Sequence, residues 1–301
     1  MTTNSPQPEF LFFAQHGWSD RGNDIGQLAR ALASENTAVF APSLGILNTY
    51  WRIESLIERV ENLAYDKIDR YPQTPLKIMG HSMGGLIWLE VLNRHPEWWQ
   101  KVHSLVVIGS PTGGADLARI IDPLGIGIGI ARDLGKNRRS LAEKIAREIP
   151  TLSIASDLGN GSDGMVSLAS TKFAHSQFVC LEGILHARLK RHLDLIPIIR
   201  DFWSNPQISQ FKPDFATKVI RYLQQIPGMT DASHRYIERS QLLYRLPQGI
   251  AIRTYKNWAN ITHVFVTDRR ESCLYAGYVG WLHHFQLRQT LKELKSSNLE
   301  L

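Results

Sequence analysis

Leu76-Lys77-Ile78-Met79-Gly80-His81-Ser82-Met83-Gly84 is the stretch on which the fold turns. A short apolar run leads into Gly80, and an apolar-periodic segment, Leu86-Ile87-Trp88-Leu89-Glu90-Val91-Leu92, follows Gly84. That order predicts a strand, a sharp turn holding a serine, and a helix. A serine on such a turn takes a strained backbone conformation. Gly80 and Gly84 stand where a Cβ would collide with the adjoining strand or helix. The turn lifts the Ser82 hydroxyl off the sheet edge and aims the first helical N–H groups at the space beside it, where an anion would be stabilised. A G-x-S-x-G match in isolation arises by chance. The strand before it and the helix after it give this one its weight.

Outward from that turn, strand and helix alternate. Phe10 to Ala14 reads as a buried strand, and Ile25 to Ala33 has helical spacing. Ala38 to Ala41 is a second strand, ended by Pro42, and residues 51–70 form a helix with one apolar stripe. The helix after Ser82 stops before Pro96. Further strands are expected at 104–108, 152–155 and 177–181, with a closing helix from about 192 to 203. Apolar strands spaced by amphipathic helices predict an α/β fold, a mostly parallel sheet with helices on both faces, over residues 1–204.

Between Ser110 and Pro150 the connection is longer than a crossover needs, and 111–150 reads as a lid-like insertion. Its apolar, glycine-alternating centre, 120–130, is a poor helix former and is expected as a mobile lid or a close-packed turn. Beyond Asn205-Pro206 the pattern changes to a helix at 215–225, β-like runs at 250–255, 262–268 and 273–279, and a last helix from about 281 to 296. This is a small α+β unit, 205–301, with no recognisable chemistry. It carries thirteen Lys/Arg against seven Asp/Glu, hence all of the chain's net charge of +6, and is read as a basic unit able to meet a membrane surface or simply a solvated face.

The 301 residues are 43% hydrophobic and 21% charged, which excludes a disordered or fibrous chain. No apolar run is long enough to span a bilayer, the first residues do not look like a secretory leader, and a cytoplasmic setting is expected. Cys180 and Cys273 give no metal spacing and are each expected as small buried apolar residues. Adjacent His283 and His284 point in different directions on a helix and make poor joint ligands. No metal or cofactor is expected, and no nucleic-acid partner, because basic residues and aromatics do not form a stacking motif.

A serine hydroxyl needs a base within hydrogen-bond reach, itself oriented by a carboxylate. In a parallel α/β sheet these partners are expected in loops after later strands. After the fifth strand comes Gly161-Ser162-Asp163-Gly164, and after the sixth Glu182-Gly183-Ile184-Leu185-His186. Asp163 and His186 are therefore the candidates. Asp157, nearer the strand end, is the rival acid; His175, before the sixth strand, and His192, in the closing helix, are the weaker histidines. The oxyanion donors are expected from Met83, next after the serine, and from Trp18 in the loop Gln15-His16-Gly17-Trp18. There Gly17 lets the backbone approach and the Trp18 ring either walls the pocket or packs in the core.

The H-G loop, G-H-S-M-G-G, the strand ending Ile108-Gly109-Ser110-Pro111, the S-D-G-x-V turn and the late histidine resemble the α/β-hydrolase superfamily over residues 9–204. Within it they are similar to bacterial lipases and esterases of the triacylglycerol-lipase and inositol-deacylase-like kind. The resemblance implies cleavage of carboxylic esters, lipid-like or apolar in their acyl part, through an acyl-enzyme. Ser82 attacks, His186 carries the proton and Asp163 holds the imidazole. Acyl transfer by the same triad and a non-catalytic binding module are the alternatives. Where such lipases often carry a histidine after Ser-Pro, this chain has Thr112-Gly113-Gly114, so substrate detail does not carry over at that loop. Residues 205–301 lie outside the resemblance.

Overall fold

The computed structural model describes residues 7–18, 20, 22–45, 52–114 and 133–296. The expected lid centre at 120–130 lies outside the described residues. Six strands form one parallel sheet in the order β2-β1-β3-β4-β5-β6: β1 (Phe10–Gln15), β2 (Thr37–Phe40), β3 (Leu76–His81), β4 (Val102–Ile108), β5 (Thr151–Asp157) and β6 (Gln177–Glu182). Parallel pairing places every strand's C-terminal end on one edge. The order reverses between β1 and β3, and the crevice at such a reversal is where ligands enter parallel α/β sheets.

Alternate strand residues feed two cores, as the two-residue period of a strand requires. Leu11 and Phe13 pack with α2 (Ile53–Arg70), α3 (Met83–Arg94) and α4 (Arg139–Ala146) on one face. Phe12 and Ala14 pack with α1 (Asn23–Leu32) and α7 (Leu195–Ser204) on the other. Between α4 and α7 along the chain come two short helices, α5 (Leu168–Thr171) and α6 (His186–Leu189). Helix α3, which carries the serine turn, is buried at nine of its twelve positions and so is fixed on several sides.

A second, antiparallel sheet has the order β7-β11-β10-β9-β8, from β7 (Thr230–Asp231), β8 (Gln241–Arg245), β9 (Ala251–Lys256), β10 (Thr262–Thr267) and β11 (Cys273–Val279). Helices α8 (Phe215–Gln224) and α9 (His284–Ser296) cover one face through Val219, Leu223, Leu287, Leu291 and Leu294. The sequence pattern missed β7 and β8. The first is two residues long, and the second is an edge strand whose exposed Leu242 and Leu243 break the alternation.

Polar contacts join the two sheets. Arg139 of α4 donates to Asp231 of β7 at 2.5 Å and to the Ala169 carbonyl at 2.8 Å. Arg221 of α8 donates to Glu143 of α4 at 2.5 Å, and the His234 amide to the Asn160 carbonyl at 2.6 Å.

Two expectations fail. Cys180 is exposed, because it lies on the edge strand β6, one of whose faces is only partly covered. Cys273 is half-buried, and burial pushes its thiol up to about 12. His192 precedes α7 instead of lying within it; the helix starts at Leu195, with Pro197 in its first turn, where a missing N–H costs nothing.

Candidate active site

Ser82 has φ 54° and ψ −124°, a left-handed conformation that an L-residue holds only when its surroundings enforce it. Here the Ser82 amide donates to the Ile108 carbonyl at 2.8 Å, and the buried α3 begins immediately after it. A Cβ at Gly80 would strike the backbone of Gly84 and Gly85; one at Gly84 would strike the carbonyls of Gln15 and His16. Both collisions were legible in the motif. Gly85, whose Cβ would meet the Ser110 side chain, was not.

Asp163 and His186 come together. The His186 Nδ1 lies 2.6 Å from Asp163 Oδ2, and the His186 amide donates to the Asp163 carbonyl at 3.0 Å. The second carboxylate oxygen accepts the amides of Met165 at 3.0 Å and Val166 at 2.7 Å, so both lone-pair faces of a buried acid are satisfied. A carboxylate so fixed holds the proton of the imidazole on Nδ1 and leaves Nε2 free to accept. His186 opens the short helix α6 rather than lying in an extended loop.

This pair sits beside the serine. The end of β4 adjoins both: the Ser82 amide donates to the Ile108 carbonyl, and a methyl at the next residue, Gly109, would lie 3.1 Å from His186 Cε1 and 3.4 Å from Asp163 Oδ2. The ring of His81 lies 4.8 Å from that of His186, and its Nε2 is 3.2 Å from the His186 carbonyl. Burial, then the neighbouring His186, hold the His81 imidazole well below the ordinary histidine value, so it is neutral. Sequence reading had no signal for this role of His81. Among the described residues no hydrogen bond joins the Ser82 hydroxyl to His186, whose Nδ1 is engaged by Asp163.

The rivals stand elsewhere. Asp157 ends β5 and accepts the amides of Gly159, Asn160 and Gly161, closing its own turn. His175 meets Phe211 edge to face ahead of β6, and His192 lies near Asp194.

The H-G loop is held by its histidine. The Leu44 amide donates to His16 Nε2 at 2.8 Å, so the proton is on Nδ1, which donates to the Gly17 carbonyl at 2.8 Å. Burial lowers the His16 pKa and keeps this neutral tautomer. The peptide is trans, so the Trp18 N–H projects opposite to the Gly17 carbonyl. A Cβ at Gly17 would come within 2.8 Å of Ser82 Cβ and 3.4 Å of its Oγ, so the loop lies against the serine. Met83, as the first residue of α3, has no intrahelical acceptor for its amide. The Trp18 ring packs on the core that contains Met83. Lys190, beyond His186, pairs with Asp20 at 2.6 Å and ties the two loops across the sheet edge. Among the described residues no group of three or more His, Cys, Asp or Glu side chains could hold a metal ion.

Comparison with known proteins bears on the fold. A family model described as serine aminopeptidase, S33, matches residues 6–121. No curated protein matches the sequence. Among solved structures, mature lipase BlEst2 of Bacillus licheniformis is 13% identical with a TM-score of 0.51, over 66% of this chain and 93% of that one. Its propeptide form is 10% identical with a TM-score of 0.53, over 92% and 69%. Est1E from Butyrivibrio proteoclasticus, with ferulic acid bound, is 15% identical with a TM-score of 0.51, over 68% and 92%. From the parallel sheet, the serine turn between β3 and α3 and these likenesses together, the chain has the α/β-hydrolase fold.

Proposed function

We propose that this protein is a serine hydrolase of carboxylic esters with an apolar acyl part. Ser82 is the nucleophile, His186 the base and Asp163 the carboxylate that orients it. The observation that carries the reading is the buried 2.6 Å contact between Asp163 and His186 beside a serine held in a left-handed turn. Nothing in a purely structural turn requires that combination.

In the proposed reaction the Ser82 oxygen bonds to the acyl carbon as His186 Nε2 takes the hydroxyl proton. The carbonyl oxygen becomes an oxyanion facing the amides of Met83 and Trp18. Collapse breaks the ester C–O bond, and His186 gives its proton to the departing alcohol. Water, deprotonated by the same imidazole, then attacks the acyl-serine and frees the acid and Ser82. Each oxyanion donor is worth about 3 kcal/mol of transition-state stabilisation, which is the largest single contribution expected from the backbone here.

The test is hydrolysis of p-nitrophenyl esters of increasing chain length by the wild type and by Ser82→Ala. A loss on the order of 10⁶-fold is expected. A fluorophosphonate should label the wild type at Ser82, as read by mass. Equal rates for both proteins at every chain length, together with no label on Ser82, would remove the reading.

A further inference from the structure

The antiparallel-sheet unit buries Phe265 and Tyr275 but leaves four other large apolar side chains in solvent. Trp258 is 97% exposed, Leu282 89%, Phe285 74% and Trp281 71%. These are four of the five large apolar residues above 70% exposure among the described residues. They form one patch. The Trp281 indole donates to the Ala259 carbonyl at 2.9 Å, which sets the start of α9 against the β9–β10 turn. That turn is stiff: Asn257 Oδ1 accepts the amides of Ala259 and Ile261, and Trp258 is held out at the tip.

A basic groove adjoins the patch. Thr262, the register partner of Lys256, contacts His284 Nδ1 at 3.2 Å, so strand, helix and turn meet there. The groove encloses about 520 Å³ and is lined by Lys256, Arg288, Lys292 and Lys295 with Leu243 and Tyr244 among others, and by no acid. Among the described residues none of these four cations has a carboxylate within ion-pair distance. The single acid of α9, Glu293, is turned to the other flank, where Tyr222 and Gln289 donate to it.

We propose that this surface docks the protein on an anionic lipid bilayer. Trp258, Trp281, Leu282 and Phe285 enter the headgroup–acyl boundary, and Lys256, Arg288, Lys292 and Lys295 meet lipid phosphates. Indole and phenyl groups at a rigid tip, ringed by long cationic side chains, match an interface that is apolar below and negative above. A second copy of this chain fits poorly, since the same four cations would face one another. The proposal does not rest on the ester-hydrolase reading, and vesicle binding by Ser82→Ala separates the two.

The test uses the whole chain and two vesicle types, phosphatidylcholine alone and phosphatidylcholine with about a third phosphatidylglycerol, in a sedimentation assay at low and high salt. Binding at least tenfold tighter to the anionic vesicles, weakened by salt, is expected. Reversing Lys256, Arg288, Lys292 and Lys295 to Glu should lower it more than 100-fold, at about fivefold for each charge removed. Trp258→Ser with Leu282→Ser and Phe285→Ser should lower it about tenfold or more. Quenching of emission by brominated acyl chains, diminished in Trp258→Phe, reads insertion in a nearly native protein. Equal partition onto both vesicles, loss with the charge variant alone (a soluble polyanion), or a wild-type dimer broken by the apolar variant (a second copy) would each overturn the proposal.

Discussion

Asp163 and Asp231 are equally buried, at 2% exposure each, and answer burial in opposite ways. Asp163 faces an imidazole, whose proton can come and go. Asp231 faces the guanidinium of Arg139, which does not deprotonate, and a second donor, Gln224. Burial works against the Arg139 charge, yet Asp231 beside it more than offsets this, and the net shift is upward. The first pair is suited to moving a proton; the second joins two sheets and moves nothing. Depth alone therefore does not separate the two carboxylates; their partners do, and the proposed catalytic role of Asp163 rests on that difference.

The contrast can be broken by exchanging the consequences. Asp163→Asn keeps shape but is expected to favour the wrong imidazole tautomer, lowering kcat by about 10⁴-fold with little change in the unfolding midpoint. Asp231→Asn should leave kcat per folded molecule unchanged. If both variants lose activity equally, the distinction between the two carboxylates fails.

At the seam, Arg139→Ala leaves Asp231 buried without its charge partner and should cost about 3–5 kcal/mol in urea unfolding. Replacing the pair together, Arg139→Met with Asp231→Leu, should recover most of that loss, since two apolar groups need no partner. Failure to recover would mean that the pair specifies the docking geometry and does more than satisfy itself.

Between these extremes lies the loop after β1. Gly17→Ala forces a methyl toward Ser82 Cβ, at 2.8 Å in the unshifted structure, so the loop and its amide must retreat. A fall in kcat on the order of 10²-fold is expected, with substrate binding affected less. An unchanged kcat would remove Trp18 from the oxyanion site.

The smallest effect is in the pH dependence of stability. The folded-state pKa of His81 is held well below its ordinary value of 6.5 by burial, then by His186. Below 6.5 the unfolded chain binds a proton that the folded chain refuses, so stability falls as pH drops, by about 1.4 kcal/mol per pH unit until the folded value is reached. Above 6.5 this contribution is fully present. His81→Gln should flatten the acid limb of the midpoint-against-pH curve. A slope identical to the wild type would show that His81 is not the group titrating there.

Much of the candidate site was legible because the features that nominate it are local or ordered along the chain. Gly80, Gly84 and Ser82 declare a turn by steric need alone, and Asp163 and His186 each follow a strand. His16 and His81 were not legible in these roles. Their partners, Leu44 at 28 residues' separation and the His186 carbonyl at 105, are set by packing and not by spacing. The same holds for Gly85 against Ser110.

By itself the sequence determined the parallel α/β layer, the strained serine and the positive charge of the last hundred or so residues, since strand period, glycine sterics and net charge are properties of short segments. Only tertiary structure decided that Asp163 meets His186 while Asp231 meets Arg139, and that Trp258 and Phe285 face solvent beside a groove lined by cations. Those outcomes depend on which distant surfaces exclude water together, and no local pattern records that.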